Sequence, residues 1–384
     1  MRGLIKKGID IYLNHKSFTS NRQLLIIESD DWGSLRTKNK QILDKLNTIS
    51  PAVKGDRFTQ LDSIADADDL SALFEALSSV KDFNGNPACI TANVCTANPD
   101  FNAIRASNFQ EFHYKPFTET LEEYSSRDHL LQLWKNGEQQ KLFIPQLHGR
   151  EHVHTLNWLA ELRAGNKDLL KAFELESFGI PYKPLLFQKR ENLQAALDTY
   201  HTDGELEFQK EWIRDSVAIF KNTFGYYSKS FIAPAYTWHA DIHRHLYEGN
   251  VKTLQGIKLQ YEPKNKLSSD YNRKLHYTGE IDKKSGITYT TRNAFFEPAS
   301  APDKDWISIT LKGVDDAFKK NKPAIVGSHR VNFMGSLDEK NRTQNLKLLK
   351  TLLHKIVKKW PDVEFMSSDE LAGLINNHQL NKIK

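Results

Sequence analysis

The sequence runs to 384 residues, 39% hydrophobic and 26% charged, with Lys and Arg exceeding Asp and Glu by only 53 to 48. That composition excludes collagen, disulfide scaffolds and wholesale disorder. A surplus of +5 spread over this length is no basic footprint, so nucleic acid is not an expected partner.

In chain order, the opening MRGLIKKGIDIYLNHK interleaves Ile9, Ile11 and Leu13 with Asp10, Asn14 and Lys16. It reads as an amphipathic helix or arm and not as a secretory leader, so the cytoplasm is the expected compartment. No apolar run approaches the roughly 18 residues of a membrane span. Strands are expected near 24–30, 89–96, 142–148, 229–235, 252–260, 287–294, 323–329 and 362–367. Helical spacing appears at 67–80, 206–223, 306–321 and 338–359. Cys89 and Cys95 share the second of these strands, which would set them ~20 Å apart, beyond disulfide reach, so both are expected as reduced thiols.

Strands alternating with helices argue for an α/β fold with a parallel sheet and helices outside it. About seven to eight strands predict a distorted (β/α) barrel, with an open doubly wound sheet as the alternative. No linker divides the chain, so residues 1–384 are expected to form one domain with its core at about 20–375. The stretch 155–225 is too long for one crossover and reads as a helical insertion.

Four motifs follow β-runs, and in a parallel barrel the ends of those runs converge on one rim. Asp30-Asp31-Trp32-Gly33 follows Leu24–Ile27; adjacent carboxylates there are costly to desolvate unless a cation or proton is shared. An Asp N-cap with a turn is the plain alternative. His148-Gly149-Arg150-Glu151-His152 presents histidines at i and i+4, which lie on one face if the segment is a helical turn. Two nitrogens plus a carboxylate suit zinc with a position open for water. His239 and His243 share the spacing but lack an acidic partner motif. Phe231–Trp238 is a strand running into an aromatic loop, and Gly327-Ser328-His329-Arg330 closes the run Ala324–Val326.

In their order, these motifs resemble the polysaccharide deacetylase family, the carbohydrate esterases of NodB-homology type, with this chain as a divergent member. The resemblance spans about 24–370. It implies a distorted barrel that removes acetyl groups from N-acetylated or O-acetylated sugars or glycans. It further implies Asp30 as catalytic base, Asp31, His148 and His152 as metal ligands, and His329 as general acid. The cofactor implied is Zn2+ or another divalent transition metal such as Co2+ or Ni2+. Glu28-Ser29 stand where that family has Thr-Phe, Trp32 is inserted before Gly33, and Gly149 replaces a Ser or Thr. Ile232 stands where an Arg should orient the base; Arg292, Arg150 or Arg330 could supply that charge from elsewhere. Asp303–Trp306 is a loose echo of the family's Asp/Trp segment.

From these residues, Trp32, Tyr236 and Trp238 are expected as faces for a sugar ring, and Arg150 and Arg330 as further substrate-binding groups. A backbone N–H near Tyr236 is expected to share the oxyanion charge. Glu151 is expected to orient a His ligand or Arg150. Two other readings stay open. His148-x-x-Glu151-His152 also matches an inverzincin metallopeptidase with Glu151 as base, and a barrel without catalysis would simply bind glycan.

Overall fold

The computed structural model describes residues 2–123, 129–186, 193–199, 202–265 and 268–383. Nine strands make one sheet: β1 (Gln23–Trp32), β2 (Ile90–Val94), β3 (Phe143–Leu147), β4 (Ser230–Ile232), β5 (Thr253–Gly256), β6 (Thr288–Thr291), β7 (Ala294–Phe295), β8 (Ala324–His329) and β9 (Val363–Met366). Their order is β6-β5-β4-β3-β2-β1-β8-β7, with β9 also on β1, and every pairing is parallel. The two ends of that order are consecutive in the chain. Arg292 N–H donates to Gly256 O on β5, and Asn293 N–H donates to Ile325 O on β8. The segment 288–296 therefore pairs with β5 through its first half and with β8 through its second.

Parallel strands covered on both faces need apolar residues on both, which is why β1 reads Leu-Leu-Ile-Ile without alternation. Leu25 and Ile27 join the largest apolar cluster, with α1 (Ala67–Ser78), α2 (Leu130–Gln139), α3 (Trp306–Phe318) and α4 (Glu339–Lys359) packed over it. Leu24 and Ile26 face the other way, against Ile325, Met366, Leu371 and Ile375. Glu28 and Asp30 continue that second face by the two-residue period of a strand.

Between Ser29 and Trp32 the register with β2 slips, and Asp31 takes φ +74°. A bulge of this kind adds a residue and re-aims the side chains beyond it. Parity changes there, so Asp31 turns to the rim beside Asp30. Trp32, which unbroken alternation would place on the Asp30 face, goes to the opposite one. It is wholly buried, edge-on to Phe143 at 4.7 Å and to Trp134 at 6.3 Å. Trp32 is core packing and offers no face to a sugar, contrary to the sequence expectation.

The region 155–225 divides differently from the expectation of one insertion. Its last element, Asp203–Phe224, is the crossover helix itself; Trp212, Ile213, Val217 and Phe220 pack beside Leu147 and Phe231. The insertion proper is Thr155–Arg163, Lys167–Glu174 and the irregular chain after them. These bury Trp158, Leu159, Phe173, Phe178 and Ile180 in a separate cluster. Residues 187–192 and 200–201 of that stretch lie outside the described residues. Sequence reasoning also missed the antiparallel hairpin Leu259–Asn265 with Ser268–Leu275. Among the described residues no helix is long and apolar enough to cross a membrane. Cys89 and Cys95 are free and buried, and burial pushes both thiols up.

Residues 148–152 are not helical. The chain leaves β3 and turns at Gly149, φ +99°, where a Cβ would stand 1.8 Å from the Trp212 ring. A Ser or Thr has no room there. Gly149→Ala is expected to cost about 2 kcal/mol or more through overpacking and left-handed strain, read as a lower urea midpoint. An unchanged midpoint would mean that Trp212 yields freely.

Candidate metal centre and active site

Asp30 and Asp31 end β1, His148 and His152 follow β3, Ala233–Tyr236 follows β4, and His329 ends β8. All of these reach one cavity of about 410 Å³, whose walls are completed by Arg36, Asp56, Phe58, Gly179, Ile180, Pro181 and Gln194.

Asp31, His148 and His152 bring one donor atom each within 4.8 Å of one another, and all three are buried. Among the described residues this is the one group so arranged. His148 Nδ1 lies 2.8 Å from the Ile232 carbonyl, which can only accept, so Nδ1 carries a proton and Nε2 is the nitrogen left to ligate. That Nε2 faces Asp31 Oδ1 at 3.3 Å, and His152 Nε2 faces the same oxygen at 3.2 Å. Burial holds His152 below its ordinary value, hence neutral and fit to ligate. Ligand bonds of about 2.1 Å in a tetrahedron set donor atoms about 3.4 Å apart, against the 3.2 and 3.3 Å observed. Two imidazole nitrogens converging on one carboxylate oxygen fit a divalent cation. The left-handed loop at Gly149, not a helical turn, makes this convergence.

Asp30 is tied differently. Arg292 Nη2 and Nη1 donate to Asp30 Oδ1 and Oδ2 at 2.6 and 2.7 Å, and Asn93 Nδ2 donates to Oδ1 at 2.8 Å. Burial pushes this carboxyl up, but Arg292 outweighs it and holds it at about 2. Arg292 thus supplies the cation missing at Ile232. Its Nε donates to Glu28 Oε2 at 2.7 Å, and its Nη1 also reaches the Tyr236 hydroxyl at 3.1 Å. Behind Asp30 the network continues from Asn93 to Gln255 and from Gln255 to Ser230.

His329 Nδ1 lies 2.7 Å from Glu297 Oε1, and its Nε2 lies 3.9 Å from Asp30 Oδ2. Burial opposes its charge, yet Glu297, with Asp31 and Asp30, pushes it up to about 10. Glu297 escaped sequence reasoning, which looked to Asp303–Trp306. There Asp305 only caps α3 and Trp306 donates to Ala301 O.

Arg150, Glu151, Arg330 and Trp238 lie away from the cavity. Arg150 donates to Glu151 through Nε and Nη2 and to Asp215 through Nη1, beneath the Tyr114 ring at 4.2 Å. Glu151 also accepts from Trp212 Nε1 at 2.8 Å, so both its oxygens are committed away from the histidines. Arg330 is buried on Asp62 and the Ser34 carbonyl. Trp238 is buried and donates to His243 Nε2, whose ring also meets Asp282. Each of these groups has its polar atoms satisfied inside the fold, so Arg150, Arg330 and Trp238 are corrected from substrate contacts to packing. Tyr236 does line the cavity, but its N–H donates to Ala233 O and that of Thr237 to Pro234 O. Neither is available to an oxyanion.

No protein-family model matches this sequence, and no curated protein matches it. Solved structures resemble it in outline. One is a probable polysaccharide deacetylase of Pseudomonas aeruginosa, 8% identical with a TM-score of 0.44, covering 92% of this chain and 90% of that one. Another is the 4-alpha-glucanotransferase of Thermococcus litoralis, at 10% and 0.45, covering 91% and 40%. A third is the alpha-amylase AmyC of Thermotoga maritima, 8% identical at 0.44, covering 92% and 74%. Likeness at this level carries no functional argument, so the chemistry rests on the residues themselves.

The His329–Glu297 pair makes stability depend on pH in a defined direction. In metal-free protein the folded value of about 10 exceeds the ordinary 6.5, so the contribution is complete below 6.5 and is lost as pH climbs through about 10. Urea midpoints of wild type and Glu297→Gln are expected to differ most near pH 6 and to converge towards pH 10. A difference that stays constant across that range contradicts the pairing.

Proposed function

We propose that the chain is a metal-dependent hydrolase removing the acetyl group from an N-acetylated or O-acetylated sugar or glycan. The fold we infer is a distorted barrel closed through segment 288–296. The observation that carries the reading is one cavity wall presenting Asp31, His148 and His152 as a ligand set, with Arg292-held Asp30 and Glu297-held His329 beside it.

Asp31, His148 and His152 would hold Zn2+, or Co2+ or Ni2+ in its place. The bound ion would polarise the acetyl carbonyl and acidify a water. Asp30, kept ionised by Arg292, is the carboxylate that would take the proton of the attacking water. His329, protonated at neutral pH through Glu297, gives its Nε2 proton to the departing nitrogen or oxygen. Tyr236 keeps its own proton, since burial pushes the hydroxyl up to about 12. It can donate that proton to the oxyanion in place of the occupied backbone N–H groups.

The two rival readings lose their support. A metallopeptidase needs Glu151 at the metal, and Glu151 is bound to Arg150 and Trp212. A barrel that only binds glycan gives no role to the separate tethering of Asp30 and His329.

His148→Ala and His152→Ala are expected to lose bound metal, while Asp30→Asn retains it; elemental analysis of the purified proteins reads this directly. Full metal content in both histidine variants would remove the ligand set. Acetate release from acetylated sugars is expected from wild type and to fall by about 10²–10⁴-fold in Asp30→Asn. Unchanged turnover in that variant would remove Asp30 from the base role.

A further inference from the structure

We propose that Arg36 selects substrates carrying an anionic group, a carboxylate or a phosphate, within one sugar ring of the acetylated position. The inference rests on the deacetylase reading for the reaction, but not for the binding preference itself.

Arg36 lines the cavity, although only 10% of its side chain is exposed. Its one ion pair among the described residues is shared. Arg330 takes Asp62 in a two-point grip through Nε and Nη2 at 3.0 and 2.8 Å. Arg36 Nε approaches the same carboxylate only at 3.4 Å. One anion thus serves two guanidinium groups. The other partners of Arg36 are neutral: the Gly179 carbonyl at 3.3 Å from Nη1 and Gln194 Oε1 at 2.9 Å from Nη2. A guanidinium has five N–H donors in a fixed fork, so donors remain after these contacts. Asp56, the carboxylate on this wall outside the catalytic pair, has its Oδ2 bound to the Thr59 N–H and hydroxyl.

The position also suits substrate. The Phe58 ring meets both Arg36 and His329, 5.2 Å from the guanidinium carbon and 5.6 Å from the imidazole centre. Both groups touching one aromatic ring and lining one cavity keeps an anion held by Arg36 within reach of a sugar seated at the proposed acid. Gly179 and Gln194, which aim the fork, both come from the chain inserted between β3 and the crossover helix. A buried guanidinium with donors to spare and a pre-aimed fork recognises carboxylate or phosphate, and a neutral sugar would leave those donors without an anion.

The test is calorimetric binding to zinc-loaded, full-length Asp30→Asn protein. The probes are N-acetylglucosamine, its 6-phosphate and N-acetylglucosaminuronic acid. At least one acidic probe is expected to bind about tenfold or more tightly than the neutral one, and which one does so separates phosphate from carboxylate. Adding Arg36→Gln is expected to erase most of that preference, and Arg36→Lys to retain part of it. Equal binding of all three probes overturns the proposal without any Arg36 variant. So does a preference that survives Arg36→Gln, or a loss of affinity that is the same for neutral and acidic probes. If Arg36→Gln fails to fold, a preference undiminished in Arg36→Lys overturns the proposal, and a diminished one supports it. Acetate release by wild type separates the two readings. A binding preference with no hydrolysis of any probe sinks the deacetylase reading alone, and hydrolysis with no preference sinks this one alone.

Discussion

Arg292 has no exposed side chain, and it donates to Asp30 through both Nη atoms and to Glu28 through Nε at 2.6–2.7 Å. Two buried carboxylates on one strand face repel each other, and burial pushes Glu28 up. One guanidinium between them makes the arrangement tolerable. Removing it would strand both charges, at a cost of about 3–5 kcal/mol. The residue can stand there because segment 288–296 changes partners at that point, with Arg292 N–H on β5 and Asn293 N–H on β8. Backbone pairing across the ends of the sheet and ionisation of Asp30 are therefore one constraint.

The bulge in β1 is the second device. Strand alternation alone would send Asp30 and Asp31 to opposite faces. The left-handed Asp31 places both at the rim, one facing Arg292 and the other the histidines. The two carboxylates are thereby given separate partners. A like separation holds for the histidines: His148 is fixed through Nδ1 on a carbonyl, and His329 through Nδ1 on Glu297. The first keeps Nε2 turned to Asp31, and the second is held charged by its carboxylate.

Much of this was legible in the sequence. Every strand expected from 24–30 to 362–367 is present, because buried parallel strands are short apolar runs with clear edges. The placement of Asp30, Asp31, His148, His152 and His329 at one rim followed from those edges. The remainder depended on events that periodicity does not encode. The bulge reversed the parity of Trp32, so an aromatic beside the carboxylates became core. Glu297 and Glu28 carry no local signal because their partners, His329 and Arg292, are distant in sequence. Gly149 was visible only as a departure from a family pattern, whereas its reason, the Trp212 ring, lies on the crossover helix. Arg150 and Arg330 sit beside the motifs in sequence, yet each found a buried carboxylate first.

Zinc K-edge X-ray absorption of the zinc-loaded protein tests the central claim most directly. One ion per chain is expected, with two imidazole nitrogens at about 2.0–2.1 Å and oxygen donors completing the shell. A spectrum with no imidazole scattering, or protein that holds no zinc after dialysis, would contradict it.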